Sequence, residues 1–278
     1  MELLMIIKAI ILGLVEGLTE FAPVSSTGHM IIVDDMWLQS EKFLTKHGAN
    51  TFKVVIQLGS ILAVVVTFKD RFIDLLGLGR LKKQAASGQV QGRLKLSQVI
   101  VGLIPAGVLG VLFNDYIDEH LFSTATVLIG LVIGAILMIL ADIFGPKRPK
   151  VQTVDQITYK QALTVGLFQC FSLWPGFSRS GSTISGGVLM GMSHRAAADF
   201  TFIMAVPIMA GASFLSLLKN WEYMTLDALP IFIAGFISAF IFALLSIRFF
   251  LKLINKIRLL PFAIYRIVLA IILYVIFI

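Results

Sequence analysis

The chain has 278 residues, of which 58% are hydrophobic and only 14% are charged, and its formal net charge is +7. This composition excludes an ordinary soluble domain and a disordered chain, and it indicates an integral membrane protein. The one cysteine, Cys170, excludes an intramolecular disulfide and a cysteine metal cluster.

Apolar segments recur along the whole chain, and most are long enough to cross a bilayer, which takes about 20 helical residues. Their ranges are 3–21, 52–68, 97–113, 123–144, 160–174, 199–218, 228–250 and 262–278. The first segment has no basic leader and no small-residue cleavage site, so we expect it to remain in the mature protein.

Two further stretches, 24–38 and 177–192, are too short and too rich in Ser, Thr and Gly for ordinary spans. Each follows a proline, Pro23 or Pro175, that ends the preceding helix. We interpret both as re-entrant. The sequence therefore predicts an all-α integral membrane protein with about ten helical segments, in which two re-entrant helix hairpins meet near the bilayer midplane.

The basic residues are distributed as an orientation signal. Fifteen Lys and Arg fall in four segments, 69–95, 145–160, 193–198 and 250–261. The segments 34–51, 114–122 and 219–227 hold only Lys42, Lys46 and Lys219. The positive-inside rule places the first group, including the basic loop 69–96, in the cytoplasm and both chain termini outside. The excess charge is thereby explained without nucleic acid as a partner, and contact with anionic membrane lipids fits it.

The two halves of the chain resemble each other. A shift of 153 residues aligns "AIILGLVEGLTEFAPVSSTGHMI" (9–31) with "ALTVGLFQCFSLWPGFSRSGSTI" (162–184). Each half then has one re-entrant pair and three crossings, an odd number, so the second half is inverted relative to the first. We predict a single membrane domain, 1–278, with one repeat over about 1–145 and the other over about 155–278. Glu16 of the first repeat faces Gln169 of the second.

Repeat logic places a binding site where the interrupted helices meet. Glu16 and Glu20 are four residues apart on one helix face, and a carboxylate at membrane depth costs about 2.5–3.5 kcal/mol without a partner. They predict a cation, either a divalent metal such as Mg or Ca or a proton relay.

The residues after the two prolines are suited to an anion. Ser25, Ser26 and Thr27 begin a new helix, where free backbone N–H groups and the helix dipole favour negative charge. In the second repeat, "PGFSRSGST" places Arg179 among hydroxyls at another helix start. Together the carboxylates and the anion-binding groups predict a diphosphate ligand. The hydroxyl residues of the second repeat are Ser178, Ser180, Ser182 and Thr183.

Structural interpretations of the same residues remain open. Hydroxyl side chains in membrane helices commonly bond their own backbone or join helices. His29 has a structural alternative as well. Glu16 and Glu20 could pair with Lys8 or Arg266, and Gly130 with Gly134 predicts a close helix contact.

The motifs "EGLTEFAPVSSTGH" and "PGFSRSGST" resemble the two signature motifs of the bacterial undecaprenyl-diphosphate phosphatase family associated with bacitracin resistance. The resemblance covers essentially the whole chain, including "QLGSILAVVV" (57–66) and "LPFAIYRI" (260–267). It implies hydrolysis of undecaprenyl diphosphate to undecaprenyl phosphate and phosphate, which recycles the lipid carrier for cell-wall synthesis and confers bacitracin resistance.

The resemblance also implies residue roles. Glu16 and Glu20 form the acidic pair, acting through a divalent cation. Ser26 resembles the nucleophile, although a water attack is compatible with the sequence, and His29 is the acid or base that takes its proton. Arg179 holds the diphosphate. We assign Ser25, Thr27, Ser178, Ser180 and Thr183 to substrate binding.

A transporter is the alternative, because inverted repeats with broken helices also build secondary transporters and anion carriers. A flippase for a phosphate-bearing polyprenyl lipid requires Arg179 and the helix ends but no nucleophile. The expected location is the bacterial cell membrane with the site open to the extracytoplasmic face. The small-residue interfaces are compatible with a homodimer.

Overall fold

A computed structural model describes residues 2–78, 92–121, 123–221 and 226–277. Within these ranges the chain is built from helices and their connections, and the only β-type pairing is an isolated bridge between Val151 and Met192. The helices, in chain order, are α1 (Glu2–Thr19), α2 (Ser26–Met30, continued as a π-helix over Ile31–Leu38), α3 (Glu41–Thr67), α4 (Lys69–Leu75), α5 (Leu96–Leu112), α6 (Asn114–His120), α7 (Thr124–Phe144), α8 (Tyr159–Cys170), α9 (Arg179–Leu189), α10 (His194–Asn220), α11 (Leu229–Ile257) and α12 (Leu260–Phe277).

Five of the described helices are long and apolar enough to cross a membrane, namely α3, α7, α10, α11 and α12. The predicted all-α membrane fold is thus confirmed, and the chain is a multi-pass membrane protein. The main difference concerns α3, which begins at Glu41 and not near residue 52. Its first turns are polar and include Thr45 with a φ of 63°, so hydropathy alone did not find them.

Both predicted re-entrant stretches form short helices after a break, and the breaks are alike in detail. Ser25 precedes α2 with a φ of 72°, and Ser178 precedes α9 with a φ of 73°. Each serine hydroxyl accepts a hydrogen bond from the backbone N–H three residues later, at Gly28 and Gly181 respectively. The 153-residue shift therefore aligns two N-caps with the same unusual backbone conformation.

The two halves also exchange equivalent helix contacts. In the first repeat α1 packs against α11, where Gly13 lies so close to the carbonyl of Gly235 that a Cβ would collide with it. In the second repeat α8 packs against α5, and Gly166 meets the carbonyl of Gly102 in the same way. Each first helix thus lies against a helix of the other half, as expected for intertwined repeats. The predicted repeat bounds, 1–145 and 155–278, remain predictions.

The basic segments lie at one end of the helix bundle. Arg71 pairs with Asp155 at 2.8 Å, and Arg195 donates to the carbonyl of Leu251 at 2.9 Å. The first contact joins segment 69–95 to 145–160, and the second joins 193–198 to 250–261. The backbone N–H of Ser193 donates to the carbonyl of Val151 at 2.8 Å and links the two pairs. Part of the basic loop 69–96, residues 79–91, lies outside the described residues.

Candidate active site

The two helix breaks meet inside the bundle. Ser180 donates from its hydroxyl to the carbonyl of Ala22 at 3.2 Å, which joins the second hairpin to the first. Beside this contact, Arg179 at the start of α9 pairs with Glu20 at the end of α1 over 3.2 Å. Only 13% of the Arg179 side chain and 8% of the Glu20 side chain are exposed. The prediction that the breaks from both repeats converge on charged residues is therefore matched by direct contacts.

A cavity of about 310 Å³ lies between the hairpins. It brings together most of the polar residues singled out in the sequence and is also lined by apolar residues of α5 and α10. The predicted site residues that line it are Glu20, Ser25, Ser26, Thr27, Ser178 and Arg179. The space is sufficient for a small polar headgroup, since ligand pockets begin at about 300 Å³.

Ser26 is directly connected to the ion pair. Its Oγ donates a hydrogen bond of 2.7 Å to Oε2 of Glu20, while Oε1 of the same carboxylate binds Arg179. A carboxylate at this distance from a hydroxyl is placed to accept its proton. One N–H donor of Arg179 is unused, because its buried Nε has no hydrogen-bond partner among the described residues.

His29 makes its contacts with residues other than Ser26. Its Nδ1 lies 2.8 Å from the carbonyl oxygen of Ser25, and its Nε2 lies 2.6 Å from the hydroxyl of Tyr265, against which the ring stacks. His29 is also not among the residues that line the cavity. The predicted transfer of the Ser26 proton to His29 therefore lacks a supporting contact. Glu20 is the residue placed to accept this proton. The contact of His29 with Tyr265 holds α2 against α12.

Two predicted binding residues lie behind the cavity wall and not on it. Ser180 contacts Ala22 and Ser178. Thr183 donates to the carbonyl of Arg179 at 2.7 Å and accepts from the hydroxyl of Thr201 at 2.9 Å. Both are buried, at 1% and 0% exposure. Their contacts hold the start of α9 in place. These two hydroxyls therefore bond the backbone and join helices, which is the structural alternative given above for hydroxyl residues in membrane helices.

Glu16 lies one helical turn before Glu20 and is buried, with its Oε1 unpartnered among the described residues. Mg²⁺ commonly uses one or two carboxylates and completes its shell with waters and substrate phosphates. Glu16 has a free carboxylate oxygen for such an ion but is not among the residues that line the cavity, whereas Glu20 lines it with both oxygens already bonded to Ser26 and Arg179. The described residues contain no cluster of three His, Cys, Asp or Glu that could hold a metal by themselves.

Several cavity residues were not proposed as site residues from the sequence. Gln169, which is 2% exposed, lines the cavity with both of its amide heteroatoms unpartnered among the described residues. Its alignment with Glu16 was the available signal. Trp174 lies in the second break and donates its indole N–H to the carbonyl of Thr126 at 2.8 Å. Gln57 of "QLGS" and Ser172 also line the cavity.

Lys8 and Arg266, the alternative partners proposed for Glu16 and Glu20, bond backbone carbonyls in the structure. Lys8 donates to the carbonyl of Leu38 at 2.7 Å. Arg266 donates to backbone carbonyls, including those of Gly176 and Phe177. The cation that pairs with a glutamate here is Arg179, from the other repeat.

These features define a class of polytopic membrane protein whose polar cavity lies between two broken helix hairpins. A family model described as bacitracin resistance protein BacA matches residues 9–272. The chain therefore belongs to that family.

Individual relatives agree along nearly their full length. The chain is 79% identical over 277 residues to an undecaprenyl-diphosphatase of Geobacillus sp. (strain WCH70), with all of both chains covered. It is 74% identical to that of Anoxybacillus flavithermus, covering 100% of this chain and 99% of the relative. It is 65% identical to that of Bacillus subtilis (strain 168), covering 95% of each.

Proposed function

We propose that this chain is an undecaprenyl-diphosphatase, which hydrolyses undecaprenyl diphosphate to undecaprenyl phosphate and phosphate. The observation that carries the proposal is the hydrogen bond from Ser26 to Glu20 beside Arg179, in a cavity between two helix starts. Hydrolases of phosphate anhydrides need a positioned nucleophile, a proton acceptor and positive charge around the phosphoryl group. All three come together here, and the relatives carry the matching name.

The first chemical step is attack of Ser26 on the terminal phosphorus. As the bond from its Oγ to phosphorus forms, Glu20 accepts the hydroxyl proton. The bond between that phosphorus and the bridging oxygen breaks, and undecaprenyl phosphate leaves. Water then attacks the phosphorus of the phosphoserine and the bond from that phosphorus to Oγ breaks. Glu20 returns its proton to Oγ, which restores the hydroxyl and the carboxylate, and the protons of the water leave with the inorganic phosphate. Direct attack by a water activated by Glu20 gives the same products.

The charge on the phosphoryl oxygens is met by groups of both repeats. Arg179 offers its free Nε, and the backbone N–H groups at the starts of α2 and α9 add donors and partial positive charge. Gln169, with unpartnered amide atoms, is placed to bind a phosphate oxygen.

A divalent cation, Mg or Ca, belongs to the proposal. Glu16 would hold it together with oxygens of the diphosphate. When bound, such an ion neutralises part of the diphosphate charge and polarises its oxygens.

The site faces the extracytoplasmic side of the bacterial cell membrane in this proposal. The support for this orientation is the positive-inside rule, which favours the end of the bundle that carries the basic segments as the cytoplasmic end. Hydrolysis on the outer face fits recycling of the lipid carrier after cell-wall glycan transfer, and it removes the diphosphate form in a way that confers bacitracin resistance. Membrane lipids surround the protein, and a homodimer is part of the proposal.

The test is phosphate release from undecaprenyl diphosphate by the purified protein in detergent. We expect stoichiometric formation of phosphate and the monophosphate lipid. A protein that binds this lipid and moves it across liposomes without releasing phosphate would instead be the transporter that the repeat architecture also allows.

A further inference from the structure

Arg266 on α12 is a fully buried guanidinium, at 0% exposure, that the proposed reaction does not use. Its Nη2 donates to the carbonyl oxygens of Gly176 and Phe177, each at 2.8 Å, and to that of Gly130 at 3.2 Å. Its Nη1 lies 3.4 Å from Sδ of Met138. A charge buried without a carboxylate among these contacts is costly, so a structural or functional gain must offset it.

Glycines make the space for this side chain. A Cβ on Gly134 of α7 would collide with Nη2 of Arg266, and a Cβ on Gly181 of α9 would lie 3.0 Å from Nη1. Gly134 was expected from the sequence to serve a helix–helix contact. Close packing is present, because a Cβ at Gly134 would also collide with the carbonyl oxygen of Phe177, and the missing side chain in addition admits the guanidinium between α7, α9 and α12.

The carbonyls that Arg266 binds belong to the break before α9. Gly176, with a φ of 88°, and Phe177 come directly before Ser178. Residues in a break have no regular helical partners for their carbonyl groups, and in a membrane those groups must be satisfied internally. Arg266 satisfies two of them. The next residues along the chain are Ser178 and Arg179, which line the cavity.

We propose that Arg266 is a positioning residue that fixes the break at Gly176–Phe177 and thereby aims Arg179 at Glu20 and at the phosphoryl group. This inference rests on the proposed phosphatase activity. Arg266 itself touches no reacting atom. Its effect is on geometry, and a displacement of about 1 Å at a reacting group is enough to change a rate about 100-fold.

Two substitutions disturb this arrangement in different ways. Arg266→Lys keeps the positive charge but replaces a planar fork of donors with a single ammonium. Gly134→Ala leaves Arg266 unchanged, but its methyl group would collide both with Nη2 of Arg266 and with the carbonyl oxygen of Phe177, so it disturbs their hydrogen bond from the side of α7. The matched control is Gly107→Ala in α5, because a Cβ at Gly107 meets nothing within 4 Å.

The kinetic readout separates positioning from stability. For each variant we would measure kcat, KM and the inhibition constant of orthovanadate, which mimics the phosphoryl-transfer transition state and so reports transition-state binding. If Arg266 positions Arg179, Arg266→Lys and Gly134→Ala lower kcat/KM and weaken vanadate inhibition in parallel, by about 10- to 100-fold. A residue that only stabilises the fold would reduce the fraction of active protein and leave KM and the vanadate constant unchanged.

A spectroscopic readout is independent of activity. The chain has three tryptophans, and Trp37 and Trp221 are largely exposed, so a Trp37→Phe, Trp221→Phe background leaves Trp174 in the break as the only emitter. We expect both Arg266→Lys and Gly134→Ala to shift Trp174 emission and raise its quenching by acrylamide. Gly107→Ala should leave both unchanged.

Changed vanadate constants together with a changed Trp174 signal support the inference. Unchanged constants and an unchanged signal in both folded variants would overturn it, as would loss of the monodisperse protein in both variants but not in Gly107→Ala. If the wild type releases no phosphate, the proposed function fails, and the Trp174 signal alone still decides whether Arg266 fixes the break.

Discussion

The hydroxyl of Ser26 donates to Oε2 of Glu20 over 2.7 Å, and these two residues stand on opposite sides of the first helix break. Glu20 follows the end of α1 and Ser26 begins α2, so the break at Pro23 brings a carboxylate and a hydroxyl face to face within six residues. A continuous helix would separate them. The broken helix is therefore what creates the pair on which the proposed chemistry depends.

The ion pair between Glu20 and Arg179 is expected to be coupled strongly. Removing one partner leaves a buried charge, which costs about 3 kcal/mol or more, whereas removing both avoids that cost. Thermal unfolding of Glu20→Gln, Arg179→Gln and the double variant measures the coupling. The loss of stability in the double variant should be smaller than the sum of the losses in the two single variants. Asp199→Asn is the comparison, because it breaks the more exposed pair with Arg195 and should cost within about 1 kcal/mol. Additive losses at Glu20 and Arg179 would refute the coupling.

His29 is expected to act by holding α2. The amide nitrogen of an asparagine reproduces the Nδ1 donor that reaches the carbonyl of Ser25, but it offers no group that can act as a base. We therefore predict that His29→Asn retains most of kcat, while His29→Ala loses at least about tenfold through misplacement of Ser26. Steady-state phosphate release measures both. If the two variants are equally inactive although folded, a proton-transfer role for His29 is restored.

Chelation tests the metal directly. EDTA should abolish phosphate release, and Mg²⁺ or Ca²⁺ in excess should restore it. Glu16→Gln removes one carboxylate charge and should raise the metal concentration for half-maximal activity roughly tenfold or more, because affinity follows ligand charge. Glu119→Gln makes the same change at an exposed position of α6 and serves as the control. Full activity of the wild type in EDTA would remove the metal from the mechanism.

Packing of α1 against α11 predicts a stability effect at Gly13. A methyl group there collides with the carbonyl of Gly235, so Gly13→Ala should destabilise the protein by about 1–3 kcal/mol. At Gly107 the same change meets open space and should be nearly neutral. Thermal unfolding in detergent compares the two variants. Equal stability of both would show that α1 and α11 lie farther apart than described.

Much of the fold could be predicted from the sequence because a bilayer imposes few choices. The length of the apolar segments predicted the membrane spans, and the positions of Pro23 and Pro175 predicted both helix breaks. The repeat alignment even paired Ser25 with Ser178, which the structure shows as equivalent N-caps. The polar start of α3 was missed because the segment before residue 52 carries no hydropathy signal, and because a kink at Thr45 separates this start from the rest of the helix.

The site was predicted less completely, because residue identity does not fix side-chain direction. Ser180 and Thr183 share a motif with Arg179, yet α9 turns them into the protein interior. His29 lies only three residues from Ser26, yet its ring nitrogens contact the carbonyl of Ser25 and the hydroxyl of Tyr265 and not the hydroxyl of Ser26. Arg266 bonds the carbonyls of Gly176 and Phe177, about 90 residues away along the chain, and a contact between such distant segments leaves no local sequence pattern.

The most direct test of the central claim is a single-turnover measurement of phosphate release from undecaprenyl diphosphate by the wild type, Ser26→Ala and Thr164→Ala. Thr164 bonds the carbonyl of Lys160 within its own helix and serves as the matched control. We expect equal phosphate release by the wild type and Thr164→Ala, and none above background from folded Ser26→Ala. Release by Ser26→Ala at the wild-type rate would show that this hydroxyl is not the nucleophile.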